Sequence, residues 1–368
     1  MSTRIAVVGA CPFPVPQGSQ VFLKDTALTL QSHGYEVHLV VYGYGESEED
    51  FGLQVHRSTR VPGARRTQAG PSLHKPLLDL LLVRTLRRVM RRHSIDVVLA
   101  HNYEGLLVAL AARARAIVYQ AHNAMVDELP HFLPFGRIAE FVGRRLDRTF
   151  PRLAQHVVAP HAGLGSYLMA CGCTPARVSV LTPPANAGWF SDPIVSETPP
   201  PVVYTGNLDS YQNVAFLDHV IARVREQMPE TRLLVATNDK RHVPHAEIIR
   251  TPDFDALKQV LSRDCVVVCP RVSWSGYPIK LLNAMAAGRA IVACRSAAHP
   301  LDHGHTGLIV DDNDEAAFGD AVVELLRSSE KRLALGMAAR ERVRTAHTPQ
   351  AFAEALERIF ERVLSYPR

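Results

Sequence analysis

Pro270-Arg271-Val272-Ser273-Trp274-Ser275-Gly276-Tyr277-Pro278-Ile279-Lys280-Leu281-Leu282-Asn283-Ala284-Met285-Ala286-Ala287-Gly288-Arg289-Ala290-Ile291-Val292-Ala293-Cys294 is the stretch that decides the fold. Ahead of it, Cys265-Val266-Val267-Val268-Cys269 is a short apolar run that suits a fully buried strand. A loop with Gly276 and Pro278 follows. From Ile279 the period turns helical, with Ile279, Leu282, Met285 and Ala286 on one face. Gly288 sits where a helix is often closed by glycine, and residues 290–294 read as a second apolar strand. The unit is strand, glycine loop, helix, strand, the building block of an α/β protein.

A glycine loop feeding a helix is a ready anion site. The backbone N–H groups of Tyr277, Ile279 and Lys280 would lack intrahelical acceptors, and the helix dipole adds positive potential there. Pro278 has no N–H to offer. Lys280 adds a full charge at an end of the helix where a cation is normally unfavourable, so its presence predicts an anionic ligand that offsets the cost. The plainer alternative is an ordinary βαβ turn with a solvated lysine.

The run Gly276-x-Pro278-x-Lys280-Leu281-Leu282-x-Ala284-Met285-Ala286-x-Gly288-x-x-Ile291-Val292-Ala293 resembles the donor-binding segment of the retaining glycosyltransferase family 4, of GT-B fold. His305-Thr306-Gly307-Leu308-Ile309-Val310 is similar to that family's downstream Thr-Gly-Leu-Leu-Val element. The resemblance implies two Rossmann-like α/β domains facing across a cleft, with a C-terminal helix crossing back to the first domain. It also implies a nucleotide-sugar donor and metal-independent chemistry, with no further cofactor.

A chain of 368 residues is long for one core and suits two domains. Its 47% hydrophobic and 21% charged residues indicate a globular protein. No apolar run approaches the roughly 18 residues that span a bilayer. Residues 5–9 are too short for a signal-peptide core, so a cytoplasmic protein is expected. The six cysteines agree: Cys171-Gly172-Cys173 has neither redox nor zinc spacing, and Cys265, Cys269 and Cys294 lie in apolar runs as buried thiols do. A net charge of +5 suits anionic nucleotide sugars or an anionic membrane surface and is too weak to argue for nucleic acid.

From the start of the chain, residues 4–9 read as a strand, 11–20 as a proline-rich loop, 21–32 as a helix and 36–41 as a second strand. The loop with Gly18 and Ser19 resembles the family's glycine loop after strand one, near the donor phosphates; Ser19 stands where a second glycine is usual. The spacing is not GxGxxG, so no dinucleotide fingerprint is present. Residues 44–75 are polar and read as a strand over 53–57 followed by a mobile loop.

Residues 76–93 combine leucines with Arg84, Arg87, Arg88, Arg91 and Arg92. They read either as a surface helix of the first domain or as a basic amphipathic helix in peripheral contact with anionic lipid. Helices over 106–115 and 139–150 are also expected. The strand 96–101 runs into His101-Asn102 and the strand 116–123 ends in His122-Asn123, polar ends that fit the ligand crevice of an open parallel sheet. His122 aligns with a family histidine beside the donor sugar and acceptor; His101 reads as structural. Pro193, Pro199, Pro200 and Pro201 mark a linker, which puts an acceptor-side domain at 1–190, a nucleotide-sugar-binding domain at 191–348 and a returning helix at 349–368.

The chain departs from the family at four places. Asn207 and Gln212, counted from Gly206, stand where an Arg and a Lys usually grip the diphosphate; Ser275 and Asn283 stand where two glutamates approach the sugar and the ribose. Charge-assisted bonds are roughly twice as strong as neutral ones, so Lys280 and Arg271 would have to carry the phosphate grip. The expected function is retaining transfer of a hexose from a nucleotide-diphosphate sugar to an acceptor hydroxyl of a glycan, lipid-linked sugar or small molecule. The alternatives are a catalytically inactive sugar-nucleotide-binding protein or partner subunit, and, further off, a GT-B sugar-nucleotide epimerase.

Overall fold

Runs of Val, Ile, Leu and Ala without alternation form strands buried on both faces, the pattern a parallel sheet covered by helices requires. The computed structural model describes residues 3–15, 18–45, 47–64, 74–185, 187–190 and 199–366. Pro16 and Gln17 of the proline-rich loop, most of the expected mobile loop before residue 74, and Pro193 of the expected linker lie outside the described residues. Two compact units emerge. Met1–Pro184, Ser275–Tyr277 and Pro349–Arg368 make the first, and Ala185–Trp274 with Pro278–Thr348 the second.

The first unit holds a sheet of seven strands: β1 (Arg4–Gly9), β2 (Glu36–Val41), β3 (Gln54–Arg57), β4 (Val97–His101), β5 (Ile117–Gln120), β6 (His156–Ala159) and β7 (Val178–Val180). Their order is β3-β2-β1-β4-β5-β6-β7, and every pairing is parallel. The order reverses between β1 and β4, which makes a switch point where ligands enter such sheets. There Gly9 pairs with His101 in register. The helices are α1 (Gly18–Ser32), α2 (Lys75–His93), α3 (Asn102–Ala111), α4 (Met125–Glu128), α5 (Gly136–Asp147) and α6 (Ala162–Ala170).

Helices α1, α3 and α5 each start three or four residues earlier than their sequence suggests. Helix α3 begins at Asn102, directly after β4, with Asn102 at φ 61° and its Oδ1 accepting from the Tyr103 N–H at 2.8 Å. An asparagine tolerates that left-handed conformation, so the turn needs no extra loop residues. Helix α5 begins at Gly136 and ends at Asp147, whose carboxylate accepts from the Met125 and Val126 N–H groups and so holds α4. Gly105 in α3 permits close packing: a Cβ there would lie 2.9 Å from the Val8 carbonyl oxygen.

Helix α2 lays Leu78, Leu82, Leu86 and Val89 into the core and leaves only Leu77 and Leu80 among its large apolar side chains exposed. This is the surface-helix reading of residues 76–93. The exposed apolar side chains of this unit gather instead around α5, at Phe135, Ile138 and Phe141.

The second unit repeats the plan with six strands: β8 (Val202–Thr205), β9 (Leu233–Ala236), β10 (Ala246–Ile249), β11 (Val266–Cys269), β12 (Ala290–Cys294) and β13 (Leu308–Val310). Their parallel order is β10-β9-β8-β11-β12-β13, with the switch point between β8 and β11. Helices α7 (Val214–Gln227), α8 (Phe254–Leu261), α9 (Ile279–Ala286), α10 (Glu315–Arg327) and α11 (Ser329–Ala346) accompany it. Its core is built from Tyr204, Leu217, Val220, Val235, Val268, Val292 and Phe318. The last helix, α12 (Pro349–Ser365), belongs to the first unit. There Phe352 meets Phe22 with ring centroids 6.1 Å apart, and Phe360 meets Tyr35 at 5.9 Å. All six cysteines are free thiols. No described helix is long and apolar enough to cross a membrane.

Candidate functional site

Each sheet places polar side chains at its switch point. In the first unit the carboxyl ends of β1 and β4 and the start of α1 enclose a small pocket lined by Gly9, Cys11, Ser19, His101, Glu104 and His122, among others. His101 is the last residue of β4, and His122 lies just past β5; parallel pairing of these strands brings the two rings together. His101 Nδ1 and His122 Nε2 are 3.1 Å apart, so one nitrogen donates and the other accepts. Phe22 of α1 packs against both rings, with centroids 5.5 Å from His101 and 5.2 Å from His122.

Burial dominates the chemistry of this pair. It pulls His122 down to about 4, against a weaker upward pull from Glu104. Burial and then the His122 charge pull His101 well below the ordinary histidine value. Both imidazoles are therefore neutral at pH 7 and act as hydrogen-bonding groups rather than cations. His101 Nε2 is buried and has no hydrogen-bond partner among the described residues. The Glu104 carboxylate pairs with Lys75, and burial pushes the Cys11 thiol up to about 12, which keeps it an inert S–H at pH 7. From sequence alone His101 reads as structural, and Glu104 and Cys11 have no role. The strand-end His101-Asn102-Tyr103-Glu104 quartet was the signal for His101 and Glu104, and it cannot say which of its members turn inward.

Gly18 and Ser19 open α1 and are both exposed; Ser19 reaches the pocket, and a Cβ on Gly18 would meet nothing within 4 Å among the described residues. Ser275, Gly276 and Tyr277 count with the first unit. Ser275 is fully buried: its Oγ and N–H donate to Asp127 Oδ2 at 2.7 and 3.0 Å, and its carbonyl accepts from His161 Nε2 at 2.9 Å. His161 Nδ1 accepts from the Leu164 N–H, which fixes that ring's proton on Nε2.

In the second unit, β8 ends at Thr205 and Gly206 turns the chain at φ 122°, a conformation that L side chains rarely adopt. Lys280, in the first turn of α9, lies beside it: a Cβ on Gly206 would sit 3.8 Å from Lys280 Cδ. The ammonium donates to Gln212 Oε1 at 2.6 Å and stands 4.4 Å from the centroid of the Tyr204 ring. Gln212 is held in turn, its Nε2 donating to Asn207 Oδ1 at 3.0 Å. Asn207 Nδ2 donates to Asp209 Oδ2 at 2.7 Å and to the Tyr211 hydroxyl at 3.2 Å, and its carbonyl accepts from the Tyr204 hydroxyl at 2.5 Å.

Asn207 and Gln212, read from sequence as lost cations, are thus the bracket that aims Lys280. Tyr204, Tyr211 and Asp209 complete the bracket and were not singled out; Tyr204 sits in an apolar strand and reads there as core. The favourable contacts to Gln212 and Tyr204 also offset part of the cost of a cation at a helix N-terminus, which the sequence had charged wholly to a ligand.

Arg271 follows β11 and is buried, with Nη2 donating to Ser273 Oγ at 3.1 Å and the guanidinium 5.2 Å from the centroid of the Tyr211 ring. Its Nε is buried and has no hydrogen-bond partner among the described residues. Among the described residues, neither Lys280 nor Arg271 forms an ion pair. Burial, reinforced by Arg271, lowers Lys280 from 10.5 to about 8, against an upward pull from Cys269. Two cations without a counter-charge at a sheet's switch point are an arrangement that attracts an anion. Pro278 and Ile279 lead into α9, and Asn283 is half-buried one turn further along.

Two doubly wound parallel sheets, each with polar groups at its switch point, define the GT-B class of architecture. The chain matches the family described as Glycosyltransferase Family 4 over residues 16–187 and the one described as Glycosyl transferases group 1 over residues 199–328. It is 25% identical over 381 residues to a phosphatidyl-myo-inositol mannosyltransferase of Mycobacterium leprae, covering 98% of this chain and 97% of that one. It is 35% identical over 92 residues to a GDP-mannose-dependent alpha-(1-6)-phosphatidylinositol monomannoside mannosyltransferase of Mycobacterium tuberculosis. That match covers 24% of this chain and only 24% of the relative's length. The sucrose-phosphate synthase of Thermosynechococcus elongatus shares the fold, with a TM-score of 0.80 at 14% identity over 99% of this chain and 100% of that one. The chain belongs to the family 4, group 1 glycosyltransferases.

Proposed function

We propose that the protein transfers a hexose, with retention at the anomeric carbon, from a nucleotide-diphosphate sugar to an acceptor hydroxyl. The observation that carries this reading is Lys280, a cation fixed by Gln212 and the Tyr204 face and paired with no carboxylate among the described residues. Negative charge grows on the leaving diphosphate as the glycosidic bond breaks. Lys280 and Arg271 neutralise it, assisted by amides at the start of α9. At a value of about 8 Lys280 is mostly protonated at pH 7, and a bound diphosphate raises it further. His122, neutral, hydrogen-bonds the sugar or the acceptor, and Asn283 the ribose.

The mannosyltransferase relatives favour a nucleotide-activated hexose and a lipid-linked acceptor. The test is incubation of purified protein with a panel of nucleotide sugars and acceptors, with products read by mass spectrometry and anomeric configuration by NMR. Donor-dependent product with the same anomeric configuration supports the proposal. Tight nucleotide binding without turnover on any acceptor would instead make the chain a binding protein.

A further inference from the structure

Away from the pocket, three histidines that lie far apart in sequence converge on one face of the first unit's sheet. His38 is the third residue of β2, His56 the third of β3, and His93 the last of α2. Among the described residues, their three ligand atoms form a group in which every pair lies within 4.8 Å. His38 Nδ1 and His56 Nε2 are 3.0 Å apart. The His93 ring lies 4.3 Å from that of His38 and 5.3 Å from that of His56, centroid to centroid. None of the three lines the pocket at the switch point.

We propose that His38, His56 and His93 bind a divalent transition-metal ion of the zinc class and so pin the end of α2 to the two outer strands β2 and β3. Three arguments support this. First, the spacing fits. Zinc bound to imidazole nitrogens at about 2.0–2.1 Å in a tetrahedral shell puts neighbouring nitrogens roughly 3.3 Å apart, close to the 3.0 Å between His38 and His56. Second, the orienting shell is in place. His38 Nε2 is 3.1 Å from Glu36 Oε1, so Nε2–H donates to the carboxylate, which keeps the proton on Nε2 and leaves Nδ1 as the lone-pair donor towards the cluster. Third, His93 is in the last turn of α2, where the unpaired carbonyls of the helix favour a cation.

His38 is fully buried while His56 and His93 are partly exposed, which leaves a solvent-side position for a fourth ligand such as water. Imidazole donors without thiolates suit Zn(II), Co(II), Ni(II) or Cu(II) and disfavour Mg(II) and Ca(II). The site is independent of the donor site and of the transfer chemistry.

The experiment uses the full chain, stripped with a chelator and titrated with zinc chloride against a chromophoric zinc indicator, then with cobalt chloride in a spectrophotometer. The expected results are one high-affinity zinc per chain, intense visible d–d bands for cobalt, and a zinc-dependent rise in melting temperature. His93→Gln and His56→Asn, at partly exposed positions, should weaken zinc at least about tenfold, and Glu36→Gln, which acts through His38, roughly 10- to 100-fold. All three variants should keep the metal-free melting transition of the parent. Equal zinc affinity in the parent and in both histidine variants would overturn the proposal, because it would assign the ion to others of the 17 histidines. So would no measurable binding to the parent.

Discussion

The two sheets share one plan and treat charge in opposite ways at their switch points. In the first, two histidines end neighbouring strands, press together under Phe22, and are neutralised by burial. In the second, Arg271 follows β11 and Lys280 opens α9 beside Gly206 at the end of β8, and the side chains that hold Lys280 are amide and aromatic rather than carboxylate. The lesson concerns the partners. A neutral bracket fixes a cation's position without quenching its charge, whereas a carboxylate would satisfy it internally. A parallel sheet of this kind offers either a hydrogen-bonding wall or an anion trap at the same topological place, depending on a handful of side chains.

The comparison breaks most readily at Lys280. Lys280→Ala should lower transfer by on the order of 10²–10³-fold, the usual cost of removing one preorganised transition-state stabiliser. It should also weaken binding of the nucleoside diphosphate measured by calorimetry. Unchanged affinity would remove Lys280 from the phosphate grip. The acid limb comes next. A His122 that stays neutral down to about 4 when folded, against 6.5 ordinarily, makes the unfolded chain bind the extra proton first. Stability should therefore fall as pH drops from about 6.5 towards 4, by on the order of 3 kcal/mol for this residue alone. Denaturant melts at pH 7 and pH 5 should show the loss, and His122→Gln should flatten it.

The alkaline limb distinguishes the other sheet. Because Lys280 loses its proton near 8 when no ligand is bound, diphosphate affinity should decline as pH rises through about 8. In a Lys280→Arg variant, whose side chain stays charged, that decline should vanish. Gly206→Ala, at a backbone angle that suits glycine, should cost about 1–2 kcal/mol in a thermal melt. The smallest effect is expected from Gln212→Ala. It removes one neutral acceptor from Lys280 and should weaken the diphosphate roughly fivefold to tenfold, about 1 kcal/mol. If Gln212→Ala matched Lys280→Ala, the amide would itself be a ligand contact rather than a bracket.

Much of this was legible in the chain. Apolar runs such as Val266–Cys269 and Ala290–Cys294, separated by a helix of period 3.6, admit few arrangements besides a parallel sheet covered by helices, whereas the return of α12 to the first unit was expected from the family resemblance alone. Lys280 was marked as a candidate by its place in the first turn after a glycine loop. The partners did not follow. His101 and His122 are 21 residues apart and Gln212 and Lys280 are 68 apart, and His38, His56 and His93 come from two strands and a helix end. Local sequence sets strand and helix through backbone sterics and side-chain period. Which polar groups then meet depends on strand order and register, quantities fixed by the packing of the whole sheet, and only the folded chain sets them.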